Sequence, residues 1–141
     1  NHESEFREEK YLFMKIINYV IKTKKNEVDG PLSLGSLKFR RDWSYAKDIS
    51  EAVIMMMRSE NNKDYVLGSG KSHSIQDIVE IIFGIFDLNW RKYINIEKEL
   101  LRKNDPQEVV SDPSQIKNDL GWSTTTSIEA IVEKIIKFKN I

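Results

Sequence analysis

The sequence predicts an α/β domain, mostly helical with several short strands. Apolar residues recur at helical spacing in several segments. Short apolar runs lie between them, bounded by turn residues such as Asp29-Gly30-Pro31. The 141 residues are 40% apolar and 31% charged, which suits one globular domain large enough to bury a core without cross-links.

From about Glu8 to Lys24, Leu12, Ile16, Ile17, Val20 and Ile21 mark one face of a helix, closed by Lys22, Lys24 and Lys25. Leu32-Ser33-Leu34 reads as a short strand ended by Gly35, and Arg40 to Tyr45 as a second extended piece. Asp48 to Arg58 reads as a helix with Ile49, Ala52, Val53, Met56 and Met57 inward, broken by Asn61 and Asn62. Tyr65-Val66-Leu67 reads as a strand stopped by Gly68-Ser69-Gly70. Ser74, with Asp77 three residues on, caps a helix that runs to about Phe86 and buries Ile75, Ile78, Val79, Ile82 and Phe83. Trp90 to Ile96 reads as a further strand. Asp112-Pro113 starts a short helix through Leu120, ended by Gly121, and Ser127 caps the last helix. The strands are too short and scattered for a large sheet, so the helices are expected to lean on another layer.

Composition narrows the function. Lys plus Arg and Asp plus Glu are both 22, a formal net charge of zero, which argues against a nucleic-acid-wrapping domain but leaves room for a local phosphate pocket. There is no cysteine, hence no disulfide, thiolate metal site or cysteine nucleophile. The histidines, His2 and His73, are too few for a histidine-rich metal site. No apolar run approaches a membrane span and no signal peptide is visible, so a cytoplasmic location is expected. The chain opens on Asn1 with no initiator methionine, which reads as a piece of something longer.

Several clusters invite chemistry. Gly68-Ser69-Gly70-Lys71-Ser72 resembles a phosphate loop, but Tyr65 stands where such a loop has its first glycine and the helix cap falls later, at Ser74. A plain strand-to-helix turn is the better reading. Tyr11 and Lys15 have the Tyr-x-x-x-Lys spacing of short-chain dehydrogenases, yet no glycine-rich dinucleotide loop precedes them. Arg40-Arg41-Asp42-Trp43-Ser44-Tyr45 places two arginines beside an acid and two aromatics. Arginine grips phosphate oxygens in bidentate fashion, and Asp42 or Asp48 is expected to orient it.

Together these clusters resemble one family. Asn1-His2-Glu3-Ser4 with Arg7 and Lys15 is similar to a segment of GDP-mannose 4,6-dehydratases. So are Leu34-Gly35-Ser36-Leu37 and Arg41-Asp42-Trp43-Ser44-Tyr45-Ala46-Lys47-Asp48. Tyr65-Val66-Leu67 with Gly70, His73 and Ser74 resembles the family's next strand, turn and capped helix. Arg102, then Asp112, Lys117 and Leu120-Gly121-Trp122, resembles its arginine loop and Leu-Gly-Trp ending. Glu5 and Phe6 depart from the pattern by replacing a proline and a basic residue. Ser36 replaces Asn, Tyr45 replaces His and Lys103 replaces a proline.

The resemblance implies the C-terminal substrate-binding part of an extended short-chain dehydrogenase/reductase fold, with residues 1–141 forming one sugar-nucleotide-binding domain and the Rossmann core missing. It implies NADP as cofactor of the full-length enzyme, touched here by His2 and Arg7. Asn1, Lys15, Leu34, Gly35, Arg41, Arg102 and Asp105 are implied to hold GDP-mannose or a related nucleotide sugar. Arg41 and Arg102 would sit near the diphosphate or ribose, Leu34 and Gly35 near the base, and Asp105 near the ribose. No catalytic residue is assigned, and the chain alone is expected to be inactive. The alternatives are a related nucleotide-sugar epimerase or reductase, or a stand-alone non-catalytic binding module. Exposed apolar surface is expected where the Rossmann sheet would pack, with self-association to cover it.

Overall fold

Local pattern decides where each element starts and stops. In a computed structural model, residues 1–60, 63–101 and 103–139 are described. Helix α1 is Leu12–Lys24. It begins four residues later than Glu8 because Glu8, Glu9 and Lys10 stay solvated, and turns through residues 4–11 (Arg7 N–H to the Ser4 carbonyl, Tyr11 N–H to the Glu8 carbonyl) lead into it. Its apolar stripe, Phe13, Ile16, Ile17 and Val20, is fully buried. The remaining helices are α2 (Ala46–Arg58), α3 (Ile75–Ile85), α4 (Ser114–Leu120) and α5 (Ile128–Phe138).

The caps follow local side-chain chemistry. Ser74 and Asp77 form a reciprocal capping box at the start of α3. Ser127 accepts from the Ala130 N–H at the start of α5. At α4 the Asp112 carboxylate accepts from the Ser114 N–H at 3.0 Å, one residue past the expected first helical position. Gly121 closes α4 with φ of 72°, a left-handed conformation in which a side chain would be strained.

The strands are two or three residues long. They are β1 (His2–Glu3), β2 (Leu32–Leu34), β3 (Arg40–Arg41), β4 (Ser44–Tyr45), β5 (His73–Ser74), β6 (Ile94–Ile96) and β7 (Glu108–Val109). β1 pairs parallel with β4, and β2 parallel with β6. β3 lies between β5, antiparallel, and β7, parallel. Residues Trp90–Lys92 form a single 3-10 turn rather than a strand, so the expected extended run from Trp90 is confined to Ile94–Ile96.

The main core is formed by α1, α3 and α5 with Leu32, Leu34, Trp43 and Tyr45. A smaller cluster joins Ala52, Ile116 and Trp122, against which Ile49, Met56, Tyr65 and Leu67 pack. Two expectations fail here. Tyr65-Val66-Leu67 alternates in and out like a strand but makes no ladder among the described residues. Val53 and Met57 of α2 face outward, Met57 at 82% exposure. The apolar arc of helix α2 is wider than the face that packs, so its period could not single out Ile49, Ala52 and Met56 from Val53 and Met57. Asn61 and Asn62, expected to break that helix, lie outside the described residues.

Candidate functional site

Strand register and two loops bring the polar residues together. A cavity of about 480 Å³ opens between the β1–α1 turn, the end of β2, β3 and residues Leu100, Leu101 and Asp105. Asn1, Arg7 and Lys15 line it from one side, and Leu34, Gly35, Arg41 and Asp105 from the other. His2 lies outside the lining: on β1 it alternates with Glu3, and its side chain is exposed where that of Glu3 is buried. Arg102 lies outside the described residues.

The cations of the cavity are held in different ways. Lys15 donates from Nζ to the Ser33 carbonyl at 3.0 Å, across the mouth of β2. Arg41 donates to Asp105 Oδ1 at 2.6 Å and to the Arg40 carbonyl at 2.7 Å. Asp105 therefore orients Arg41, and the expectation for Asp42 or Asp48 is corrected. The neighbouring Arg40 points away into the β3–β5–β7 sheet, where Ser72, Asp77 and Glu108 take its donors. Strand alternation thus assigns one arginine to the cavity and one to the scaffold.

The other two acids build the frame. Asp42 is buried and accepts from the Ser69 and Gly70 N–H groups, from the Ser111 N–H, and from the Ser69 and Ser111 hydroxyls. Burial alone would raise its carboxyl, but the hydrogen bonds from Ser111, Ser69 and Gly70 hold it below the usual range. The Gly68-Ser69-Gly70 turn is therefore wrapped around a carboxylate of its own chain, which is the plain reading of that loop. Asp48 in the first turn of α2 accepts from the Thr125 and Thr126 N–H groups at 2.9 Å each, and the Trp122 indole donates to its carbonyl. It ties α2 to the approach to α5.

Close backbone approach shapes the far wall. A Cβ on Gly35 would stand 3.1 Å from the Leu100 carbonyl carbon and 3.3 Å from the Leu101 nitrogen. A side chain there would press on the backbone of residues 100–101, which closes tightly over the end of β2. Phe39 and Tyr11 also line the cavity, with the Arg41 guanidinium 5.7 Å from the Phe39 ring centroid and that of Arg7 3.5 Å from the Tyr11 ring centroid. Sequence reasoning passed over Glu3, which is 4% exposed and lines the same cavity. Burial raises its carboxyl to about 7, against the pull of Arg7 and the terminal amine. The departures Glu5 and Tyr45 meet each other: the Tyr45 hydroxyl donates to the Glu5 carboxylate at 3.1 Å. Phe6 stacks edge-on with Phe138 at 5.2 Å. Among the described residues no group of His, Asp and Glu side chains could hold a metal, and no helix is long and apolar enough to cross a membrane.

A cavity lined by four cations (Arg7, Lys10, Lys15 and Arg41), three aromatic side chains (Tyr11, Phe39 and Trp43) and the buried acid Glu3 suits a polyanionic ligand with polar and flat parts. Comparison with known proteins gives the lineage. GDP-mannose 4,6 dehydratase 1 of Arabidopsis thaliana is 31% identical over 136 residues, covering 96% of this chain and 37% of that protein. The GDP-mannose 4,6 dehydratase of Dictyostelium discoideum is 28% identical, covering 96% of this chain and 43% of the relative. The chain thus spans about two fifths of the length of these curated relatives. Among solved structures, RMD from Pseudomonas aeruginosa complexed with NADPH superposes with a TM-score of 0.87 at 16% identity, covering 100% of this chain and 47% of that one. The dTDP-glucose 4,6-dehydratase of Bacillus anthracis in complex with NAD gives 0.83 at 13% identity, covering 99% of this chain and 42% of the other. The fold is accordingly that of part of an extended short-chain dehydrogenase/reductase. The family model described as GDP-mannose 4,6 dehydratase matches residues 1–135, and the chain belongs to that family.

Proposed function

We propose that residues 1–141 form the nucleotide-sugar-binding domain of a GDP-mannose 4,6-dehydratase-like enzyme. One observation carries the reading: Asn1, Arg7, Lys15, Leu34, Gly35, Arg41 and Asp105, chosen by motif alone, line a single cavity. Arg41 is held with its fork in the cavity by Asp105 and takes a diphosphate oxygen, while Lys15 adds a point charge beside β2. Leu34 and Gly35 give the flat, close wall against which a base rests. Arg7, at the β1 side, reaches the edge of a dinucleotide, and NADP is the cofactor in this reading. Arg7 keeps its terminal nitrogens without partners among the described residues, which fits an anionic cofactor edge. When bound, the cofactor supplies the hydride; this chain's residues bind and orient the sugar nucleotide. In this reading the proton-transfer groups are not among the residues of this chain.

Calorimetric titration with GDP-mannose, with UDP-glucose as comparator, tests the reading. GDP-mannose is expected to bind, and Arg41→Ala to weaken it tenfold or more, the equivalent of roughly 1.5–3 kcal/mol for a charge-assisted hydrogen bond. Equal affinity in that variant, with its fold intact, removes Arg41 from the site. No binding of either nucleotide sugar to the chain overturns the assignment of the cavity.

A further inference from the structure

Two buried polar atoms in the cavity wall are left without hydrogen bonds, and they face each other. Oε2 of Glu3 and Nε of Arg7 both lack a partner and stand 3.7 Å apart, too far for a hydrogen bond but within ion-pair range. Glu3 is 4% exposed, with its backbone fixed in the β1–β4 ladder opposite Tyr45. Arg7 is less buried, and its guanidinium carbon stands 3.5 Å over the centroid of the Tyr11 ring. Tyr11 thus packs on the guanidinium, and Glu3 stands at its Nε edge. What is left is the outer pair of nitrogens, which bond no described residue.

We propose that Glu3 is a positioning residue that holds the Nε edge of Arg7, so that the outer nitrogens of Arg7 form a preset fork for a phosphate-type oxyanion at the cavity rim. This rests on the functional reading above only in supplying a phosphate to the cavity. An arginine fixed on two sides loses less freedom on gripping an oxyanion than a free one. The price of that fixation is a carboxyl kept away from water.

The arrangement couples the anion to a proton. Glu3 and a bound oxyanion share Arg7, so the anion favours the neutral form of Glu3 and binds better as Glu3 takes up a proton. At 3.7 Å the contact is not a hydrogen bond, and a neutral carboxyl or amide in the same place still packs against the Nε edge with its oxygen dipole facing the N–H, so the steric part of the positioning survives protonation. The charges bearing on Glu3 are Arg7 and the amino terminus. Other groups on the packed elements are His2 on β1, Tyr45 on β4 with its Glu5 partner, Asp48 on α2 and Lys134 on α5 over the Tyr45 ring. Lys10, Lys15 and the Arg41–Asp105 pair lie across the cavity. All of these remain in Glu3→Gln, so any slope they cause survives in that variant.

Sulfate is the probe, because its charge is constant across the neutral range. Its binding is read from the Arg7 side-chain Nε–H resonance at constant ionic strength, at about pH 6 and about pH 8. Wild type is expected to bind about three- to tenfold more tightly at the lower pH, well inside the roughly hundredfold that one linked proton allows over two pH units. Glu3→Gln is expected to keep the tighter affinity at both. Glu3→Ala is expected to bind several-fold more weakly. A wild-type slope retained in Glu3→Gln overturns the proposal. So does wild-type affinity in a folded Glu3→Ala, or an Arg7 resonance that sulfate does not move. If Glu3→Ala fails to fold, the isosteric Glu3→Gln decides. A sulfate response without GDP-mannose binding would fault the functional reading and leave the Glu3–Arg7 pair standing.

Discussion

At Gly68 the missing Cβ is the structural requirement. A Cβ there would fall 2.1 Å from the Ser111 hydroxyl oxygen and 2.9 Å from an Asp42 carboxylate oxygen. Both atoms belong to the hydrogen-bonded cluster around Asp42, so neither can yield without breaking it. Gly68→Ala is therefore expected to destabilise the chain by about 2–4 kcal/mol, the range for overpacking combined with loss of buried hydrogen bonds. Urea denaturation measures it; a loss under about 0.5 kcal/mol would mean that the turn relaxes freely. The same cluster explains why Asp42 follows Arg41 in the motif. The arginine faces the cavity and the aspartate, one position on, faces the scaffold, so adjacent residues that look like one clamp serve two purposes.

At the scale of elements, α2 is the informative case. Its inward residues are Ala52, Ile49 and Met56, while Val53, Ile54 and Met57 remain exposed at 43%, 46% and 82%. Its apolar arc is wider than the one layer that covers it, which leaves apolar side chains in solvent. The exposed face is expected to bind hydrophobic dyes and to drive self-association of the isolated chain. Met57→Lys with Val53→Glu is expected to reduce both, with a stability change within about 0.5 kcal/mol because neither side chain is in the core. ANS fluorescence and sedimentation read the first effect and thermal unfolding the second. Unchanged dye binding in the double variant would place the apolar surface elsewhere, for instance at Phe6 and Phe138.

At the scale of the whole molecule, legibility tracked how local each signal was. Ser74, Ser127 and Gly121 announced their helix ends because a cap is a contact within one turn. Leu32–Leu34 was legible as a strand, but its parallel partner sixty-odd residues on was not, since pairing is set by the packed whole. The cavity residues came from motif rather than pattern, and the motif could not say that Asp105 holds Arg41. Glu3 was invisible for the opposite reason: a glutamate near a charged end reads as solvated until the β1–β4 ladder buries it. Its burial has a consequence for the stability of the entire chain. A carboxyl raised from 4.5 to about 7 binds protons in the folded state that the unfolded state has released. Its stabilising contribution is full below pH 4.5, falls as pH rises through about 7, and leaves a constant penalty above. The shift corresponds to about 3 kcal/mol at about 1.4 kcal/mol per unit. Asp42 acts in the reverse sense: its depressed carboxyl stabilises above the ordinary aspartate range, and that support is lost as pH falls through its folded value. Stability is thus expected to peak in the mildly acidic range, between the loss from Asp42 below and the loss from Glu3 above. Urea denaturation across pH is expected to show Glu3→Gln gaining on wild type as pH rises from 4.5 to 7, then running parallel above it. Curves that run parallel throughout would mean that Glu3 finds water or a partner, and would return it to the ordinary carboxylates.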